Sequence, residues 1–307
     1  MVSALSAPHF HDEDAAFAYV EARVWPEGPT CPHCGGVERI SKMQGASTRK
    51  GLYKCYQCRK PFTVRMGTIF EASHVALNIW LQAMYLIAGS KKGISSNQLH
   101  RTLGVTLKTA WFMAHRIREA MRNGGLGMMG GEGKIVEADE TYIGRKTGVK
   151  TPQGGFRHKY CVVSLVCRDT GEARSVFTDK TTHEAVANIV RANVDRESRL
   201  VTDDHVHYWK VGREFAGHDR IRHSIGEYGR GDVYTNTIEG FFSIFKRGMR
   251  GIYQFCGEKH LHRYLAEFDF RYSNRAALGC NDADRADVLL RGIVGKRLTY
   301  QQSFARA

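Results

Sequence analysis

At 307 residues the chain is long enough for two or three domains, and its 42% hydrophobic content excludes a disordered or fibrous protein. Lys and Arg total 45 against 31 Asp and Glu, a formal net charge of +14, so nucleic acid is the expected partner and an anionic membrane surface the weaker alternative. The longest apolar run, at 76–89, is broken by Asn78 and Gln82, and the N-terminus lacks basic and apolar signal regions, so a cytoplasmic chain with no membrane contact is expected.

Taken in chain order, a short helix is expected over Asp12–Val24, with Phe17, Val20 and Val24 on one face. Next come "CPHC" and "CYQC", which place Cys31, Cys34, Cys55 and Cys58 in two knuckles. Each knuckle is a tight turn presenting two thiolates, and two of them complete a tetrahedral structural Zn2+ site. A pair of disulfides is the alternative, disfavoured in a reducing compartment. The flanking segments "RISKM" and "LYKCYQCRKPFTVR" read as short strands of a zinc ribbon within an N-terminal region, 1–72. Cys161, Cys167, Cys256 and Cys280 show no such spacing and read as small apolar residues.

The period turns helical from Ser73, with Leu77, Trp80, Leu81, Met84 and Ile87 on one face and Gly89 as a stop. A helix around Ser96–Leu103, a turn at Gly104, a Thr106 cap and a helix from Leu107 fit a helix-turn-helix within a helical region, 73–122. Ala110, Met113, Ile117 and Met121 are expected to point inward; Lys108, Thr109, Phe112, His115 and Arg116 outward. Lys108, Thr109 and Arg116 are the candidate DNA contacts, and an ordinary helical hairpin is the alternative. The glycine-rich stretch 123–133 reads as a linker, followed by an α+β or α/β domain over 134–275 with a mixed sheet and a C-terminal helical tail, 276–307. Strands are expected at 134–139, 160–166, 173–179 and 199–203, with a helix around His183–Ala192 after the third.

Three carboxylates stand out. Asp139 is expected to end the first strand of this domain, Asp203 the fourth, and Glu239 sits in "NTIEGFFSIFKRG", an apolar helix with a basic end. Taken singly, each is more ordinarily a turn former, a cap or a surface ion pair. Together, two strand ends and a helix can converge. Breaking a phosphodiester requires an activated water and a stabilised leaving oxygen, which two Mg2+ ions about 4 Å apart supply between carboxylates. Lys246 returns two turns after Glu239 to the same face and suits a phosphate, and Asn236 shares that face; Arg247 and Arg250 extend the basic cluster.

The blocks "VEADETYIG", "TDDHVHY", "HSIGEYGRGDVYTNTIEGFFSIFKRGMRGIY" and "KHLHRYLAEFDFRYSNR" resemble those of bacterial insertion-sequence transposases of the DDE type, in the branch named family fifteen-ninety-five, across nearly the whole chain. That resemblance implies a zinc ribbon ahead of a ribonuclease-H-like catalytic domain. It implies an acidic triad on Asp139, Asp203 and Glu239, with Asn236 and Lys246 as accessory positions and the third metal contact on either Glu239 or Asn236. It further implies Mg2+ with Mn2+ as a substitute, double-stranded DNA as element ends and target, and a homodimer or higher homo-oligomer. Tyr234 stands where the family has a histidine, and Phe242 where it often has tryptophan. His218 and His223 read as structural or DNA-contacting, and Arg263 and Arg271 as free for phosphate. Two other readings stay open: a catalytically silent zinc-ribbon DNA-binding regulator, and a ribonuclease-H-like nuclease on hybrids or junctions.

Overall fold

The computed structural model describes residues 3–122, 127–152 and 154–299. They divide into two compact units, one of 3–122 with 280–299 and the other of 127–279. In the first unit α1, Glu13–Val24, starts where the Asp12 side chain accepts the Ala15 N–H at 2.7 Å, and it buries Ala16, Phe17 and Val20. Three short antiparallel strands follow in the order β1 (Ile40–Lys42), β2 (Tyr53–Cys55) and β3 (Pro61–Phe62). Their core is small: Cys31, Cys55 and Phe62, edged by Trp25, Ile40 and Tyr53.

Helix α2, Leu77–Gly89, buries Leu77, Trp80, Leu81, Met84 and Ile87, the apolar face that the periodicity marks out. Its first turn is capped from a distance, because Glu13 accepts the N–H groups of Leu77 and Asn78 at 2.8 and 3.0 Å. Helices α3 (Ser96–Leu103) and α4 (Leu107–Met121) are joined through Gly104, whose φ of 65° is the left-handed conformation that stops α3. Thr106 caps α4 by accepting the Thr109 N–H at 3.2 Å. The segment read as a C-terminal tail folds back within this unit. Its helix, Asp282–Arg291, carries Asp287, which accepts from Arg23 Nε at 2.7 Å, and Arg285, which donates to the Ala88 carbonyl at 3.2 Å.

The second unit is built on five strands, β4 (Ile135–Ile143), β5 (Tyr160–Cys167), β6 (Ala173–Thr178), β7 (Arg199–Asp203) and β8 (Gly217–Ile221), in the spatial order β6-β5-β4-β7-β8. The first three form an antiparallel meander, whereas β7 and β8 run parallel to β4. Alternation along the strands splits the core in two. Val136, Ala138, Val163 and Leu165 face α5 (His183–Asn193) through its Val186, Ala187 and Val190. Ile143, Val162 and Val166 face α6 (Asn236–Gly248) and α7 (Glu258–Ser273) through Ile238, Phe241, Phe245, Leu261, Leu265 and Phe268.

Two sequence expectations need correction here. Strand β8 was not expected, because Gly217, His218, Asp219 and Arg220 show no apolar alternation; only Ile221 is fully buried. The linker reading of 123–133 falls partly on 123–126, outside the described residues, and fails beyond them. Met129 is buried with Val136 and Val194, its N–H donates to the Asn193 carbonyl at 2.7 Å, and its carbonyl accepts from Asp195 at 2.8 Å.

Candidate active site and metal centres

Strands β4 and β7 pair in parallel up to Ala138 and Thr202. The next residue on each is Asp139 and Asp203, so the two carboxylates meet where the strands part, at the carboxyl ends where open sheets bind their ligands. Asp203 ends its strand as expected. Asp139 does not: β4 runs on to Ile143 because its antiparallel pairing with β5 continues to Tyr160. The aspartate is therefore fixed within a paired strand, a more rigid setting than a strand exit.

Both carboxylates are held by their own chain. Asp139 Oδ1 accepts the Glu140 N–H at 2.7 Å, and Asp203 Oδ1 accepts the His205 N–H at 3.1 Å. Burial pushes the Asp139 carboxyl well above the usual carboxylate range, and the charges of Asp203, Glu140 and Glu239 push it the same way. Asp203 is raised by burial and by Glu140. Carboxylates crowded out of water in this manner are stabilised by a cation.

Glu140, absent from the sequence reading as a site residue, completes the group: ligand oxygens of Asp139, Glu140 and Asp203 lie within 4.8 Å of one another. Glu239 is not in that set. It stands exposed in the first turn of α6, where it accepts from Thr235 Oγ1 at 3.0 Å, with His223 Nε2 at 3.5 Å. The hard oxygen donors and the raised carboxyls fit Mg2+.

Glu137, two residues before Asp139 on the same face of β4, ties this strand to the first turn of α6. It is fully buried; Oε1 accepts from Arg168 Nε at 2.5 Å, and Oε2 accepts the Ile238 N–H at 2.8 Å. Thr235 makes no side-chain cap to α6, so Glu137 takes that role across the fold. Arg168 also donates to the carbonyls of Asp232, at 2.6 Å, and Tyr234, and its guanidinium lies 3.7 Å from the centroid of the Tyr234 ring. No short motif signals this arrangement, since its members are far apart in the chain.

The remaining candidates are placed as follows. Asn236 is exposed at the start of α6; Lys246 is half-buried with its ammonium 5.6 Å from the Phe242 ring centroid; Arg247 and Arg250 are exposed. Lys108 is exposed and Thr109 half-buried at the start of α4. Arg116 requires correction as a DNA contact. It is only 5% exposed, and its guanidinium donates to the carbonyls of Leu298 at 3.0 Å and of Ile69 and Glu71 at 2.8 Å. His115 is likewise buried, as the packed face of α4 is wider than the four apolar positions suggest. Arg263 and Arg271 are also buried, the latter ion-paired with Glu267. His218 is half-buried beside Thr202 Oγ1 at 3.0 Å, and the burial lowers its pKa.

In the ribbon Cys31 and Cys58 sulfurs are 3.6 Å apart and those of Cys34 and Cys55 3.8 Å, with all four within 4.8 Å of one another. A tetrahedron with Zn–S bonds of about 2.3 Å has edges of about 3.8 Å, whereas a disulfide is about 2.0 Å. The four thiols fit zinc. Among the described residues no helix is long and apolar enough to cross a membrane.

Comparison with known proteins agrees with this layout. Residues 129–273 match the ISXO2-like transposase domain, and residues 11–61 match the transposase zinc-ribbon domain. The chain is 29% identical over 266 residues to the uncharacterized protein in transposable element ISH50 of Halobacterium salinarum, covering 80% of this chain and 86% of that one. A solved simian T-cell lymphotropic virus intasome, in complex with the PP2A regulatory subunit B56 gamma, contains a chain similar at 15% identity and a TM-score of 0.31. The match covers 56% of this chain and 63% of that one, too slight to carry an argument. The two transposase models fall on the ribbon and on the unit holding Asp139 and Asp203, in chain order, and the chain belongs to the IS1595 family of insertion-sequence transposases.

Proposed function

We propose that the chain cuts and joins DNA at the ends of its insertion sequence in a Mg2+-dependent reaction, with Mn2+ as a substitute. The observation that carries this reading is the meeting of Asp139 and Asp203 where β4 and β7 separate, with Glu140 closing the cluster. Magnesium held there supplies a Lewis acid for the phosphate and acidifies its bound water. Asp139 and Asp203 hold the cation. Glu239, whose charge is felt at Asp139, is the third carboxylate, and Asn236 shares its exposed end of α6. Arg247 and Arg250, exposed after Glu239, hold the DNA phosphates together with Lys246.

Water opens one phosphodiester to leave a 3′-hydroxyl, and that hydroxyl then attacks the target phosphodiester. In each step one P–O bond forms as another breaks, so no energy-rich cofactor is consumed. The acceptor oxygen comes from water or DNA, and no covalent enzyme intermediate forms. Recognition of the terminal repeats falls to the ribbon and to the α3–α4 pair. Lys108 and Thr109 at the start of α4 are the base-edge candidates, and phosphate contacts give most of the affinity. Two ends must be held together, so a homodimer or larger assembly does the work.

A cleavage and strand-transfer assay with Mg2+, using DNA flanking the gene, tests this. Wild type is expected to yield joined product, and Asp203→Ala and Glu239→Ala to bind the ends without joining them. Tight binding by wild type with no nick would leave the silent-regulator reading in its place.

A further inference from the structure

We propose that Glu140, His205 and His207 form a second metal site in the catalytic unit, adjoining the carboxylate cluster through Glu140 and separate from the ribbon, that takes a divalent ion of the zinc class. His205 and His207 flank Val206 in the turn that follows β7. Their Nδ1 atoms lie 3.5 and 3.2 Å from Oε1 of Glu140, and one ligand atom from each of the three residues lies within 4.8 Å of the others. The 3.2 Å contact of His207 is at the long end of a hydrogen bond and the 3.5 Å contact of His205 lies beyond it. A tetrahedral ion with bonds of about 2.0–2.1 Å instead separates its nitrogen and oxygen ligands by about 3.3 Å. The observed spacings bracket that edge.

The surroundings are those of a built site. Fully buried Tyr208 donates to Glu140 Oε2 at 2.7 Å, fixing the carboxylate so that Oε1 is left to the imidazoles. The Glu140 side chain is only 6% exposed and that of His207 12%, whereas His205 is 44% exposed and opens the site to solvent. Two imidazoles and one carboxylate leave coordination positions free for water or a phosphate oxygen. The donor types sort the ions: nitrogen donors favour zinc-class metals, while Asp139 and Asp203 offer only oxygen. Glu140 is common to both groups, which couples their occupancy.

The test uses the full chain with its ribbon loaded with zinc, titrated with Co2+ and followed by visible absorption. One further equivalent is expected, giving d–d bands without a thiolate charge-transfer band. The single substitutions His205→Ala and His207→Gln should each weaken it by at least about tenfold, and the double variant should abolish it. Asp203→Asn should leave it in place. Absence of a second equivalent in wild type, or its loss in Asp203→Asn with retention in the histidine variants, overturns the proposal. His207→Gln preserves a polar partner for Glu140, and the wild-type result requires no mutant to fold. None of these readouts depends on DNA cleavage, so failure of the transposase assay and failure of this site are separate results.

Discussion

The buried carboxylate of Glu137 on β4 accepts the backbone N–H of Ile238 at 2.8 Å, joining the strand that carries Asp139 to the first turn of the helix that carries Glu239. Its other oxygen pairs with Arg168, so one residue caps α6 and neutralises a half-buried cation. Replacing Glu137 with Ala removes the cap and strands that guanidinium. A loss of about 3–5 kcal/mol is expected in urea unfolding. Glu137→Gln should retain part of the cap and lose less stability, yet slow DNA joining, because α6 is no longer held by a charged acceptor. Full activity in a folded Glu137→Gln protein would show that this tether does not position Glu239.

The crowding at Asp139 makes a pH prediction. Its carboxyl is raised by burial and then by the Asp203 charge, so the proton is favoured in the folded state. The resulting stability is complete below the ordinary carboxylate pKa and is lost as pH rises through the raised one. Mg2+ should therefore stabilise little near pH 4 and progressively more toward neutrality, by about 2–6 °C in Tm at saturating ion. Asp139→Asn should flatten the response. A Mg2+ shift that is independent of pH in wild type would contradict the arrangement.

Asp269 supplies a second, independent titration on α7. It is half-buried, burial raises its carboxyl to about 7, and it accepts the Ser175 N–H at 2.8 Å and the Ser175 hydroxyl at 2.7 Å. Wild type should lose stability relative to Asp269→Asn between about pH 4 and pH 7, by up to about 4 kcal/mol. Thermal unfolding of the pair across that range is the measurement.

Lys108 and Arg116 should separate cleanly in DNA binding. Lys108→Ala is expected to leave Tm within about 1 °C and to reduce the slope of log K against log salt by about 0.9. Arg116→Met leaves three carbonyls without their donor and should cost about 3 kcal/mol or more. Its effect belongs in unfolding curves, not in the salt slope.

The ribbon is too small to hold itself. Its fully buried members are Cys31, Cys55 and Phe62, and Trp25 packs edge-on to Tyr53 and Phe62 with centroids 5.5 and 5.7 Å away. Chelation of zinc or Cys55→Ser should release Trp25, red-shifting its emission, and expose 31–62 to protease. The unit of 127–279 should keep its far-UV signal. Persistence of a compact ribbon after metal removal would show that its apolar contacts suffice.

Composition and local pattern by themselves determined the thiolate knuckles, the apolar face of α2, the helix pair around Gly104, the ends of β7 and the start of α5, and a resemblance broad enough to name the family. Each of these signals lies within a few residues along the chain: a Cys spacing, a 3.6 or 2.0 period, a cap or a short block. The tertiary structure alone decided that Asp139 lies within a paired strand, because β5 continues alongside it. It decided that Arg116, nominally on the outer face of α4, is buried among the carbonyls of Ile69, Glu71 and Leu298. Helical period specifies which residues share a face but not how many faces are covered. It also brought Glu140 to Asp203, His205 and His207, more than sixty residues away, and Glu137 to Ile238, one hundred and one away. Whether a carboxylate is a turn former, a cap or a metal ligand depends on which atoms surround it. That is settled by strand register and packing, which no local pattern encodes.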